Sequence, residues 1–178
     1  MRAERLWTPA GRATVMGNGY APAGRVQRAG GDVSSEDAPD LVELLEVATL
    51  CNDAALLPPD GADRGWRALG DPTEAALLAA AAALALDKSA TDDRLPRVQE
   101  VPFDPQRKRM TTVHRRPDGG LRVVCTGAPE ALLRPEVLST EAAVRVRAVA
   151  VHGCMHAPVQ DRSWTSSGHG IARGMWWP

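Results

Sequence analysis

Phe103, Lys108 and Met110 fall within one eight-residue stretch, Phe103-Asp104-Pro105-Gln106-Arg107-Lys108-Arg109-Met110. It sets the chain's one Phe close to three consecutive cations. A strand, a tight turn and a second strand would bring the three side chains near one another. An aromatic ring offers a stacking face to a flat base, worth about 1–3 kcal/mol by analogy with stacking in nucleic-acid sites. A lysine ammonium meets a phosphate as a point charge. From chemistry alone the stretch is either one wall of a nucleotide pocket or a core Phe beside a solvated basic turn.

Other constellations carry less. His152-Gly153-Cys154-Met155-His156 holds ligand types suited to zinc or copper. A structural zinc needs a fourth ligand, and beyond this cluster only His169 is left in the tail, so no metal site is expected. Gly17-Asn18-Gly19 is too short for a dinucleotide loop. The sequence holds no Walker A loop, no H-E-x-x-H, no G-x-S-x-G and no full G-x-G-x-x-G.

The elements that must position these residues follow from periodicity. Residues 6–16 alternate and suit one edge strand or extended segment, 17–24 form a loop, and 27–39 are a polar surface connection. Leu41, Leu44, Leu45, Ala48 and Cys51 recur at three and four residues and predict a helix from Pro39 to Cys51. Pro58-Pro59-Asp60-Gly61 is a turn, and Trp66 to Gly70 a short strand. Asp71 as N-cap, Pro72 at the first helical position and Glu74 in a capping-box-like place start a second, buried helix along the Ala/Leu run to Leu86. Asp87 and Lys88 return it to solvent. The period then changes to two. Strands are predicted over 97–103, 109–114 and 121–126, the last two joined by a Pro117-Asp118-Gly119-Gly120 turn. Gly127-Ala128-Pro129-Glu130 opens a short helix to about Leu133. A helix is predicted over 142–151, and 153–178 show no periodicity.

Composition bounds the function. The chain has 178 residues, with 21 basic against 22 acidic side chains and a formal net charge of −1. A general nucleic-acid binder would show a basic excess. The longest apolar run, Ala75 to Leu86, is twelve residues, short of the roughly 20 that span a bilayer, so no membrane insertion by this chain is expected. Met1-Arg2-Ala3-Glu4-Arg5-Leu6-Trp7 has no apolar stretch behind its charges and is not a secretory signal. Cys51, Cys125 and Cys154 are odd in number and read as free thiols.

Five stretches, in order, resemble the nucleotide-binding domain of P-type cation-transporting ATPases of the calcium- and sodium-pump-like branch. They are Gly17 to Gly24, Leu50-Cys51-Asn52-Asp53-Ala54, Gly70-Asp71-Pro72-Thr73-Glu74-Ala75-Ala76-Leu77, Pro102-Phe103-Asp104 through Lys108-Arg109-Met110-Thr111, and Gly127-Ala128-Pro129-Glu130. They cover residues 6 to about 133, and all five in this order and spacing are strongly specific. The resemblance implies an α+β fold, a mostly antiparallel twisted sheet flanked by helices. It implies that Phe103 stacks on adenine and that Glu74 contacts the adenine edge with Thr73 close by. It implies that Lys108 and Met110 line the same pocket, and that Gly127 and Ala128 lie where the backbone approaches the base closely. One aromatic platform, one acceptor, one cation and a wall without large side chains make a purine pocket.

The chain departs from the family in two places. Thr126 stands where the family pattern K-G-A-P-E has Lys, which removes a cation. Beyond Leu133 the likeness fades, and the G-x-R-V-L-A-like strand has no clear counterpart. Asp87-Lys88-Ser89-Ala90-Thr91 resembles the D-K-T-G-T on which such pumps form an aspartyl-phosphate, but differs at two positions and sits at a helix exit. It reads as a solvated helix end.

The expectation is therefore a partial nucleotide-binding domain over 1–133 and a divergent tail over 134–178, disordered or frame-shifted. ATP is the expected ligand, with Mg2+ accompanying it in an intact pump. The resemblance implies the phosphorylation and membrane domains of such a pump as partners, and a place on the cytoplasmic side. No catalytic residue is assigned, and the chain alone is expected to be inactive in hydrolysis and transport. The alternative is a non-catalytic remnant of a pump gene, with no nucleotide role or only a protein-contact role.

Overall fold

The computed structural model describes residues 1–61 and 65–132, and the backbone of 151–152. Two antiparallel sheets enclose one central helix. In the first sheet, β1 (Arg5–Thr8) and β2 (Gly11–Met16) form a hairpin, followed by β3 (Arg25–Arg28) and β4 (Gly31–Val33). The central helix is α1 (Pro39–Leu50). A small two-stranded ribbon, β5 (Ala55–Leu57) with β6 (Arg67–Leu69), leads to α2 (Pro72–Ala82) and α3 (Lys88–Arg94). The second large sheet is β7 (Arg97–Asp104), β8 (Arg109–Arg115) and β9 (Leu121–Gly127), in that order, and α4 (Pro129–Leu132) follows it. Strand β10 (Val151–His152) pairs with β1, so the first sheet runs β10-β1-β2-β3-β4. The fold is α+β, with antiparallel sheets flanked by helices, as the sequence led us to expect.

The core explains why α1 is central. Leu6, Ala13 and Val26 from the first sheet, Leu41, Leu45 and Leu50 from α1, Ala80 and Ala81 from α2, and Met110 and Val124 from the second sheet form one buried cluster. Each sheet gives α1 the inward half of its period-two alternation. Outside the core, Glu46 of α1 is clamped by Arg94 and Arg122, tying α1 to α3 and β9.

Four local expectations need correction. Residues 6–16 are two strands, not one segment, because the chain reverses at Pro9 and Ala10. The connection expected over 27–39 contains the β3–β4 hairpin. Its two-residue turn is Ala29-Gly30, both at positive φ (52° and 85°), and an Ala in that conformation gives no turn signal. The Ala/Leu helix stops at Ala82 rather than Leu86. Bonds from Ala85 N to Ala82 O and from Leu86 N to Ala81 O close it, with Ala85 left-handed at φ 60°. Asp87 is no trailing helix end. It caps a helix the periodicity missed, α3, by accepting a bond from Ala90 N at 2.8 Å, and Lys88 folds back onto α1. The helix predicted over 142–151 lies outside the described residues except for Val151, which is in β10. The His152–His156 cluster lies outside them except for the backbone of His152.

His114 is fully buried between the second sheet and α3. Its Nδ1 lies 2.8 Å from Leu95 O and its Nε2 2.8 Å from Thr112 Oγ1. A carbonyl only accepts, so Nδ1 carries the hydrogen and Nε2 accepts from the hydroxyl. Burial pushes the imidazole pKa below its ordinary value. The unfolded chain therefore takes up the proton first, and stability is complete above the ordinary histidine value and falls with pH below about 6.5. The urea midpoint should drop between about pH 7.5 and pH 5, and His114→Gln should flatten that step. Asp40, held by the Arg28 fork at 3.0 and 2.6 Å, has its carboxyl lowered to about 2 and contributes in a separate, more acidic window.

Candidate functional site

The turn joining β7 to β8 is built by its own side chains. The Asp104 carboxylate accepts from Gln106 N and Arg107 N, each at 2.8 Å, and Lys108 N donates to Asp104 O at 2.6 Å. Those backbone donors, Arg107 foremost, hold the Asp104 carboxyl below its usual range. Lys108 is left-handed (φ 52°) and exposed, and its Nζ pairs with Glu130 at 2.9 Å. Phe103, just before the turn, keeps 41% of its surface exposed.

Met110 behaves differently from the expectation. It lies opposite Thr126 on β9 and is only 5% exposed, as part of the core cluster. The alternation of β8 turns Met110, Thr112 and His114 inward together, so Met110 supports the site from below and is not an open wall. Gly127 is also explained differently. A Cβ there would lie 2.4 Å from Lys108 O and 2.7 Å from Arg109 Cβ. The resemblance implied a close approach to a base; the approach seen here is to the protein's own β8 backbone. Ala128, buried, donates from its N to the same Lys108 O at 2.9 Å.

Thr73 and Glu74 sit in the first turn of α2. The Asp71 carboxylate accepts from both of their backbone N–H groups, at 2.7 and 3.1 Å. Glu74 does not return the capping-box bond. Its carboxylate instead accepts from Asp53 N at 2.9 Å. Burial pushes its pKa up, and the Asp53 and Asp71 charges add to the rise.

The structure thus brings Phe103, Lys108, Met110, Gly127 and Ala128 to one end of the second sheet, and places Thr73 and Glu74 on α2. The segment after α1 links the two groups. Thr126 Oγ1 donates to Cys51 Sγ at 3.3 Å, and Cys51 Sγ donates to Met110 O at 3.7 Å. Burial raises the Cys51 thiol pKa and keeps it protonated. Asn52, buried, donates to Ala48 O and Glu74 O at 3.2 and 2.9 Å and accepts from Ala54 N at 2.9 Å. Lys88 reaches Thr49 O and Asn52 O, and Arg97 reaches Leu50 O and Asn52 O. Two cations therefore satisfy the carbonyls where α1 ends. Arg97 and Lys88 had drawn no attention as site residues. Nothing in their local pattern shows that they fold back 44 and 36 residues.

A groove of about 680 Å3 between α1, α3 and β9, at the opposite end of the sheet, includes none of these seven residues. No helix among the described residues is long and apolar enough to cross a membrane.

The family model described as "P-type ATPase, cytoplasmic domain N" matches residues 40–135. The chain is similar to the "Probable cation-transporting ATPase F" of Mycobacterium tuberculosis (strain ATCC 25618 / H37Rv), 35% identical over 143 residues that cover 75% of the chain and 14% of the relative. It is 30% identical over 134 residues to the "Calcium-transporting ATPase" of Bacillus subtilis (strain 168), covering 75% of the chain and 15% of that protein. It is 35% identical over 102 residues to the human "Plasma membrane calcium-transporting ATPase 3", covering 54% and 8% respectively. The chain spans only about a seventh of the length of the two bacterial relatives.

Proposed function

The chain belongs to the P-type ATPase cytoplasmic N-domain family, and on that premise we propose that it binds ATP, with the adenine stacked on Phe103. The observation that carries this reading is the exposed ring. The chain's one Phe is left 41% accessible at the end of a sheet whose neighbouring positions are tied to backbone and buried core. Glu74 is the acceptor for the adenine edge, with Thr73 beside it. Lys108 meets the phosphates, and Met110, Gly127 and Ala128 form the supporting wall. Mg2+ enters with the triphosphate as its counter-ion, and no residue here is assigned to it.

In an intact pump the bound nucleotide would pass its γ-phosphate to an Asp on another domain, and the phosphoenzyme would drive cation movement. No residue of this chain is assigned to accept phosphate, so the role proposed for it is binding, within a domain of residues 1–133. The family match covers residues 40–135, and strand β10 (Val151–His152) adds an edge to the first sheet from beyond that stretch. Titration with Mg·ATP, followed by tryptophan fluorescence or NMR shifts, should saturate at millimolar concentration or below. A folded chain that does not saturate would overturn the reading.

One observation favours a second reading, a remnant that no longer binds nucleotide. Thr126 supplies no cation and its hydroxyl is turned to Cys51, while Lys108 is already paired with Glu130. Thr126→Lys decides how much this matters. A charge-assisted bond contributes about 1.5–3 kcal/mol, so the variant should bind ATP about tenfold or more tighter and leave adenosine binding nearly unchanged. Equal gains for both ligands would refute the phosphate role of that position.

A further inference from the structure

Arg97 opens β7, the strand that carries Phe103 near its other end. Its Nη1 lies 2.6 Å from Asp53 Oδ1 and 2.8 Å from Glu100 Oε2. Its Nη2 lies 2.9 Å from Leu50 O and 3.1 Å from Asn52 O. Three of these four partners belong to Leu50–Asp53, and that segment holds Glu74 twice. Asp53 N donates to the Glu74 carboxylate and Asn52 Nδ2 donates to Glu74 O, both at 2.9 Å. The strand bearing the aromatic platform and the helix bearing the acceptor are thus joined through one guanidinium.

We propose that Arg97 is the positioning residue for base selection: through Asp53 it fixes the Glu74 carboxylate against the sheet, so that the site takes 6-aminopurine nucleotides and rejects 6-oxopurines. This rests on the proposed contact of Glu74 with the adenine edge. A carboxylate accepts from an exocyclic amino group. Set against a 6-carbonyl, the same carboxylate leaves two acceptors facing each other. Such discrimination needs a carboxylate that cannot swing away. Arg97 is suited to fixing it because a planar guanidinium engages several acceptors in one fixed geometry, which a lysine ammonium cannot do.

The test compares ATP with inosine triphosphate on the full chain. The native protein should prefer ATP by about tenfold, the worth of one bond to a charged group, and Glu74→Gln should remove the preference. Arg97→Gln and Asp53→Asn should each bring the ATP-to-ITP ratio to within about twofold by weakening ATP alone. Arg97→Lys should keep part of it. Asp53→Asn retains the backbone donor to Glu74 and removes only the charge facing Arg97, so it remains informative if Arg97→Gln fails to fold. Equal weakening of both nucleotides, or an unchanged ratio in folded Arg97→Gln or Asp53→Asn, would overturn the proposal and leave the adenine reading intact. A native chain without preference, or an unaffected Glu74→Gln, would overturn the Glu74 contact itself and this proposal with it.

Discussion

Replacing Phe103 with Ala should weaken ATP binding by about tenfold to a hundredfold, the range of one base–aromatic stack. The thermal midpoint should hardly move, because the ring lies outside the buried cluster. The two readouts together make the measurement decisive. A core Phe would lose about 3–5 kcal/mol of fold stability on truncation, whereas a stacking platform loses affinity and keeps its fold. Phe103→Trp should restore binding, since stacking needs a π-face and not a particular ring. Isothermal titration of the three proteins, with circular dichroism melts alongside, separates the cases. Unchanged affinity in a folded Phe103→Ala protein would remove adenine from this end of the sheet.

Gly127→Ala should be costly in the opposite way. The added Cβ would lie 2.4 Å from Lys108 O and 2.8 Å from Arg109 Cα. Both are backbone atoms and cannot swing aside. Overpacking typically costs about 1–3 kcal/mol and occasionally more, and the β8–β9 ladder must open at the Arg109–Gly127 pair to relieve it. The denaturant midpoint should therefore fall with no nucleotide present. ATP affinity should fall as well, because Lys108 is at the point of contact. A variant as stable as the native protein, but unable to bind, would return Gly127 to the role that the family resemblance implies, a close approach to the base.

The sheet that bears the site was legible because its alternation is local. Period two and Pro117-Asp118-Gly119-Gly120 gave strands over 97–103, 109–114 and 121–126 with a turn between the last two, each within one residue of the observed Arg97–Asp104, Arg109–Arg115 and Leu121–Gly127. The start of α2 was legible for the same reason, since Asp71 and Pro72 act within one turn. What escaped was chemistry carried by residues ordinary in their own neighbourhood. Ala29 and Ala85 occupy left-handed positions that Gly or Asn would have announced. Asp87 looked like the end of one helix because an apolar run does not show where its hydrogen bonds stop. Glu74 was singled out through the family resemblance and read as a capping-box residue, but its partner is Asp53 and not its own helix cap. The burial of Met110 was not legible, because two-residue alternation does not say which face of a sheet meets the core.

A strand that leaves an aromatic ring exposed near one end also leaves its backbone open to any other chain it meets. Among the described residues β7 pairs only with β8, and Val98, Val101 and Phe103 are exposed along it. Such a strand is a template for aggregation if its ladder is unbroken. Its register shifts between Arg97 and Gln99 and again between Val101 and Asp104, and Pro102 offers no N–H. A second chain laid against this edge would lose its pairing beside Phe103, the residue proposed to stack on adenine. The irregularity beside Phe103 is thus also a guard against edge-to-edge pairing, and straightening it, for example by Pro102→Val, should raise aggregation of the folded chain.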